Sequence, residues 1–487
     1  MKKNSPSSFS RRFFLAASAS VGAGALVPRS AYAAESEVRL AILGAGWRGG
    51  QLAGSFDKAN GCKIVAVADP DIGLARGLAA QHDATAHQDL RKVLDDPNVD
   101  AVVVATCNHW HCLATLWALD AGKDVYVEKP LSHSQWEGAK VVEAAKGSGR
   151  IVQIGTQQRS DPMQAMAKEF LHDDKTIGDI QYVIAARLGK REPIGRRNKP
   201  LSIDPNIDYD LWCGPAAKQD ILRDKLHYDW HWDWNTGSGE MGNWGVHILD
   251  DVRNVAYQDK VSTPTRVTAA GGRVAWNDAG DTPNLHVAVL ETETFPTFMA
   301  LSNLAASPEP GEKKGWSLDA NVPGRIPGSG YVVVCDGGYY LGQRGKGEAI
   351  DRSGKTIKKF GEKVDTVLLH VQAFIDAVRN RDESMLNAPI ENGHHSTGWC
   401  NLANVGVRAG SSFDREQLKQ ASELPVWQTI LGEMAAQLAP FGVSSGELVV
   451  SPTLTHDRKT ERFTGDHADR GNRFLKRDYR EGFVIRG

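Results

Sequence analysis

Gly44-Ala45-Gly46-Trp47-Arg48-Gly49 has the residue types and spacing of an anion cradle, G-x-G-x-x-G. It follows the apolar run Val38 to Leu43 and opens the helix-like stretch that continues through Gln51 to Asp57. In such a turn the first glycine permits a tight bend and the second lets backbone N–H groups approach a pyrophosphate. The third lets helix and strand pack closely, while the helix dipole favours the phosphate charge. Asp69 lies 20 residues past Gly49, at the end of a second apolar run, Lys63 to Ala68, where a ribose 2′-hydroxyl would sit. A carboxylate there repels a 2′-phosphate, so the expected cofactor is NAD rather than NADP.

Two further clusters have chemical potential. Trp212, Trp230, Trp232, Trp234 and Trp244 place five of the 13 tryptophans in a short stretch, interleaved with His227, Tyr228, His231 and Asp233. Indole faces pack against the C–H faces of sugars while neighbouring polar groups bind hydroxyls. A tryptophan-rich core or subunit interface would give the same composition. Cys107, His109, His111 and Cys112 match no usual zinc spacing, and no metal is expected.

The elements that must position these groups alternate. Strands are expected at Val38 to Leu43, Lys63 to Ala68, Asp100 to Thr106 and Asp124 to Val127, with helices at Asp71 to His82, Cys112 to Ala121 and Gln135 to Gly147. This rhythm means parallel βαβ units, an α/β Rossmann domain over residues 36–155. After Ile151 to Gly155 longer alternating strands take over: Ile180 to Arg187, Thr265 to Ala270, Leu285 to Glu291, Thr297 to Leu301 and Tyr331 to Cys335. They predict an α+β domain over residues 156–443 with a large, mostly antiparallel open sheet. Amphipathic helices at Val364 to Asn380 and Gly393 to Ala409 would pack back on the core. Leu188 to Ile207 and Ala306 to Pro327 read as long surface loops, and residues 444–487 as a polar tail laid over the surface. One sheet face must be covered by helices or by a second subunit, so a homodimer or homotetramer is expected.

Residues 1–33 read as a removable leader. Lys2, Lys3, Arg11 and Arg12 precede the short apolar run Phe13 to Val27 and the small-x-small pattern Ala31-Tyr32-Ala33. Ser10-Arg11-Arg12-Phe13-Phe14-Leu15 has the order of a twin-arginine export signal, which predicts a periplasmic or otherwise exported protein. Cleavage removes five basic residues (Lys2, Lys3, Arg11, Arg12, Arg29) and no acidic ones, taking the net charge from −2 to −7. That balance argues against nucleic acid or an anionic membrane surface as partner. Six cysteines in 487 residues are too few for a disulfide framework.

Thr106-Cys107-Asn108-His109-Trp110-His111 and Glu128-Lys129-Pro130 fall at strand ends that open onto the cofactor crevice. With the glycine turn, Ile154-Gly155-Thr156-Gln157-Gln158-Arg159 and Gly239-Glu240-Met241-Gly242-Asn243-Trp244-Gly245-Val246-His247, the chain resembles the Gfo/Idh/MocA family of sugar and inositol oxidoreductases over roughly Val38 to Ala409. The resemblance implies that Lys129 lies beside the nicotinamide and the substrate hydroxyl, where burial would lower its pKa toward neutrality. It implies a helix carrying an Asp and a His four residues apart; here the pair is Asn243 and His247. Asn243 cannot hold a charge but can orient a hydroxyl, since an amide both donates and accepts. Lys129, His247 and Asn243 are thus the expected catalytic set. Gly44, Gly46, Trp47, Arg48, Gly49, Asp69, Thr106, Asn108, His111, Glu128 and Lys129 are expected around the cofactor. Gln158, Arg159, Trp230, His231, Trp234, Asn243, Trp244 and His247 are expected around a carbohydrate substrate. The function these imply is an exported NAD-dependent oxidoreductase that retains its cofactor. Redox-neutral glycoside cleavage through a transient keto-sugar, and non-catalytic binding of NAD or sugar, are the alternatives.

Overall fold

The computed structural model describes residues 37–485; residues 1–33, read above as a leader with an export signal, lie outside them. The first sheet has six parallel strands in the order β3-β2-β1-β4-β5-β6. These are β1 (Val38–Leu43), β2 (Cys62–Ala68), β3 (Thr85–His87), β4 (Ala101–Val104), β5 (Asp124–Glu128) and β6 (Val152–Gly155). Strands such as β4, Ala-Val-Val-Val, are buried throughout because helices cover both faces, which is why they read as unbroken apolar runs. The strand β3 was not among the sequence expectations, being three half-exposed residues without a hydrophobic pattern. Strand order reverses direction between β1 and β4, and the carboxyl ends there open a crevice.

The second sheet follows the order β14-β13-β12-β11-β7-β10-β9-β8 before short C-terminal strands complete it. Its members are β7 (Ile180–Arg187), β8 (Arg266–Gly272), β9 (Leu285–Glu291), β10 (Thr297–Ser302), β11 (Ser329–Cys335), β12 (Gly338–Gln343), β13 (Lys346–Asp351) and β14 (Thr356–Phe360). Only the β7–β10 pair is parallel among the pairings of β7 to β14. Alternation sends Val183, Ala185, Met299 and Val333 to one face, against helices Val246–Val255 and Ile390–Ala409. Ile184, Ala186, Phe298 and Val332 go to the other.

That other face is covered by the chain itself. Trp427, Ile430, Leu431 and Met434 of helix Pro425–Leu438 lie on it, as do Trp316, Leu318, Val322 and Ile326. Trp427 stacks on Phe298 with ring centroids 5.6 Å apart. Ala306 to Pro327 is therefore not a surface loop: the Glu433 carboxylate accepts from the N–H groups of Asp319 (2.8 Å) and Ala320 (2.7 Å) and pins it to the helix. An open sheet face no longer gives a reason to expect a second subunit.

The C-terminal segment is likewise structural. Strand Leu454–Asp457 pairs with β8, Phe463 enters the core of the second domain, and Phe483 and Ile485 enter that of the first. Its arginines bond across the domains: Arg480 to the Gly214 carbonyl (2.8 Å) and Arg477 to that of Asn235 (2.9 Å). The polar composition that suggests a surface tail reflects these carbonyl partners, while its few apolar side chains do the anchoring.

Candidate functional site

The crevice is a cavity of about 630 Å3, in the range that holds small organic ligands. It runs from Asp69 and Asp89 at one end to Lys129, His247 and Arg344 at the other. At the first end the glycines are sterically required. Gly44 has φ +97°, and a Cβ there would lie 2.6 Å from the Ala105 carbonyl oxygen. A Cβ on Gly49 would lie 1.9 Å from the Gly44 oxygen, so Gly49 serves helix–turn packing and does not line the cavity. Gly46, the residue preceding helix Trp47–Phe56, has no atom near its missing Cβ and leaves an open approach to the helix N-terminus. Asp69 faces the cavity while its carboxylate accepts from the N–H groups of Ala45 (2.7 Å) and Asp71 (2.8 Å). It thus braces the turn from the next strand. An open N-terminus beside a braced carboxylate suits the pyrophosphate and ribose of a dinucleotide.

Part of the second domain lies over this end. The Asp208 N–H donates to the Pro70 carbonyl (2.9 Å), and the Ile72 N–H (3.2 Å) and Gln88 side chain (3.0 Å) donate to that of Asn206. His227 reaches the Asp71 carboxylate at 3.2 Å. His227, Leu211 and Trp212 line the cavity with Leu74 and Leu90, so the ribose end is roofed.

In the middle, Thr106, Cys107 and Asn108 line the wall where β4 gives way to helix Asn108–Asp120. His111 sits between the carbonyls of Pro130 (2.6 Å) and Thr106 (3.0 Å) and ties two strand-end loops together. Burial holds its pKa below the ordinary value although both carbonyls favour the charged ring. His109 is a structural residue, bonded to the carbonyls of Trp212 (2.9 Å) and Thr236 (3.1 Å). Among the described residues no group of three or more His, Cys, Asp or Glu is placed to hold a metal.

At the far end two buried carboxylates organise the cations. Glu128 accepts from Arg48 (2.7 Å) and Gln157 (2.9 Å). Burial opposes its ionisation, but Arg48 and Lys129 outweigh burial and hold its carboxyl below the usual range. Glu240, fully buried, accepts from Arg187 (2.9 Å), Arg191 (3.0 Å) and the Asn243 amide (3.1 Å). The Lys129 ammonium donates to the Asn243 carbonyl (3.0 Å) and its side-chain oxygen (3.2 Å). An aspartate at 243 would put a second carboxylate beside Glu240; the amide instead connects Lys129 to that charge. Burial brings the Lys129 pKa down to about 8, with Glu128 and Glu240 resisting and Arg48 and Arg344 assisting.

The local backbone explains how Asn243 serves both partners. Met241–Gly245 is a π-helical turn leading into helix Val246–Val255. Such turns widen a helix and recur at functional sites. His247 follows on the same side, lines the cavity, and is kept neutral by burial and by Arg344, Lys129, Arg48 and Arg187 around it.

The tryptophan cluster divides. Trp230, stacked on His231 at 3.7 Å, lines the cavity with that ring, and so do Trp244 and Trp212. Trp232 is buried behind them, and Trp234 lies off the cavity against Arg408. Gln158 and Arg159 are also not brought to the cavity. The short helical turn Gln157–Ser160 aims Gln157 at it, Gln158 at the Gly345 N–H, and Arg159 at Asp250 (2.8 Å) and Asp259 (2.8 Å). One buried carboxylate and one half-buried one claim the arginine that sequence position offered to a substrate. Trp47, 74% exposed, stands at the mouth. Arg191, Tyr228 and Arg344 line the cavity without having been singled out as site residues. Arg344 lies at the tip of the β12–β13 hairpin, and nothing local in its sequence marks it.

Comparison with known proteins agrees with this architecture. Residues 38–156 match the model of the oxidoreductase family, NAD-binding Rossmann fold, and residues 190–281 that of the oxidoreductase family, C-terminal α/β domain, both Gfo/Idh/MocA models. The scyllo-inositol 2-dehydrogenase (NAD(+)) of Bacillus subtilis is 37% identical over 182 residues, 36% of this chain and 53% of that protein. Inositol 2-dehydrogenase 4 of Saccharopolyspora erythraea is 37% identical over 139 residues, 28% of this chain and 41% of that protein. The matched stretches thus span about half or less of these relatives. A levoglucosan dehydrogenase solved with NADH and levoglucosan shares the fold at TM-score 0.55 and 15% identity, over 85% of this chain and all of that one (100%).

Proposed function

Both domains of the chain belong to the Gfo/Idh/MocA oxidoreductase family, and from that premise we propose an exported, NAD-dependent oxidoreductase that acts on a sugar, polyol or glycoside hydroxyl and retains its cofactor. The observation that carries this reading is Lys129. A half-buried lysine with a pKa near 8 stands in one cavity with the glycine turn, held by Asn243 and lining the same wall as His247. Bound along the cavity, NAD supplies a two-electron acceptor for the carbon that bears the hydroxyl. Lys129, neutral in part at physiological pH, accepts the hydroxyl proton, and Asn243 and Glu240 steady the ammonium that results. His247, neutral and without a hydrogen-bond partner among the described residues, is free to bond a substrate hydroxyl. Trp230 and Trp244 offer faces to a sugar ring.

Retention is supported by the roof over the ribose end, where the second domain bonds to Pro70, Ile72 and Gln88 of the first. Export rests on Arg11 and Arg12 of the leader. The same roof favours a second reading, redox-neutral cleavage of a glycoside, because a cofactor that does not exchange must return to its starting state in each turnover. A panel of sugars, inositols and aryl glycosides, followed by bound-cofactor absorbance and by aglycone release, separates the two. Accumulating reduced cofactor or a released keto-sugar supports the oxidoreductase; aglycone release without net reduction supports cleavage. Protein purified without added NAD and then denatured should release the dinucleotide, and an empty supernatant would remove the retention argument.

A further inference from the structure

We infer that the substrate of this site is a sugar acid, whose carboxylate is received by Arg344. The inference rests on the carbohydrate reading above and narrows it to a chemical class.

The substrate end of the cavity carries more positive charge than its own carboxylates balance. Glu128 is taken by Arg48, and Glu240 is shared between Arg187 and Arg191. That leaves Lys129 and Arg344, together with the half of the Arg187–Arg191 pair that Glu240 does not neutralise. Among the described residues the Arg344 guanidinium has no hydrogen bond and no ion pair, and it lines the cavity. The carboxylates nearest in effect are Asp251 and Glu128. Glu128 is already paired, and Asp251 is buried beside Asp250 and accepts from Gln164 (2.6 Å). Burial and Asp250 push the Asp251 carboxyl up to about 7, so it offers Arg344 less than a full counter-charge.

Arg344 is also held in place. Its guanidinium lies over the Trp244 ring at 5.7 Å, and Arg187 lies over the same ring at 4.5 Å. The 5.7 Å distance is within cation–π reach, and no protein group claims the fork of N–H donors that can receive a carboxylate with two bonds. His247 is 5.8 Å from the same ring, centre to centre, so Arg344 and His247 flank one indole. A ring carrying both hydroxyls and a carboxylate meets these groups: a hydroxyl at Lys129 and His247, the carboxylate at Arg344. Arg344 is itself exposed at the hairpin tip, so its guanidinium is open to a carboxylate entering the cavity.

The test compares matched pairs on the holoenzyme: methyl β-D-glucuronide against methyl β-D-glucoside, and galacturonate against galactose, with binding measured by calorimetry. The acidic member of at least one pair should bind at least roughly tenfold more tightly, the scale of one charge-assisted hydrogen bond. Its affinity alone should fall as ionic strength rises. Arg344→Ala should weaken the acidic member at least roughly tenfold more than the neutral one and so erase the preference, and Arg344→Lys should restore part of it. Equal affinity within both pairs, binding of neither member, or an Arg344→Ala variant that weakens both members alike would overturn the inference. Binding is read apart from turnover, so the two readings fail separately. A glucuronide that binds through Arg344 but never changes the bound-cofactor spectrum sinks the oxidoreductase. Neutral sugars turned over as well as acidic ones sink the sugar-acid inference alone.

Discussion

The two ends of the cavity are built on different principles. The glycine end is a matter of space: Gly44 and Gly49 have carbonyl oxygens where a Cβ would go, and the one carboxylate present, Asp69, braces backbone N–H groups. The lysine end is a matter of charge: Glu128 and Glu240, both buried, hold Arg48, Arg187, Arg191, Asn243 and through it Lys129. Sterically built sites fail when something is added. Electrostatically built sites fail when something is removed, because the partner left behind is a buried, unpaired ion.

Four substitutions sharpen or break that contrast. The largest effect is expected from Lys129→Ala, which removes the proton acceptor: turnover should fall by roughly 10²–10⁴, the range for a lost general base, with bound dinucleotide content unchanged. Steady-state rates and cofactor assay on one preparation check both halves, and unchanged turnover would sink the assignment of Lys129. Glu240→Gln comes next. It keeps the shape but strands two arginines, so unfolding in urea should show a loss of about 3–5 kcal/mol. A loss no larger than that of a surface substitution would mean solvent reaches this end far more than its burial indicates.

Gly46→Ala tests the steric end where no protein atom crowds the new methyl. Stability should stay within about 0.5 kcal/mol of the parent, while the dinucleotide that copurifies with the protein falls. If stability dropped instead, the approach to the helix N-terminus would not be open. The smallest effect concerns pH. Oxidation of the hydroxyl needs neutral Lys129, so activity should rise with pH through a midpoint near 8. Glu128 is the strongest influence that raises this pKa, so Glu128→Gln should move the midpoint to lower pH, by about one unit. A shift to higher pH would contradict the charge balance described here.

Much of the molecule was legible without coordinates. The glycine turn, the parallel βαβ rhythm and the strands Ile180–Arg187 and Leu285–Glu291 are local patterns: each follows from steric freedom at glycine or from alternation along one stretch of chain. Two features misled for a physical reason. Residues 306–327 and the C-terminal segment have loop-like composition, yet each carries a few apolar side chains spaced to reach a surface made elsewhere in the chain. The sheet face expected to be covered by helices or by a second subunit is covered by helix Pro425–Leu438, which the sequence reading did not single out.

The sequence by itself determined that a dinucleotide cradle exists at Gly44 to Gly49 and that Lys129 falls at a strand end beside it. Those are properties of short segments whose conformation is set by their own residues. Only the tertiary structure decided which charges meet. Arg159, two residues after Gln157 in a turn that brings Gln157 to the cavity, is consumed by Asp250 and Asp259, whereas Arg344, from a distant hairpin, faces the site. Coulomb interactions depend on separation in space and on burial, and neither is written into the spacing of residues along the chain.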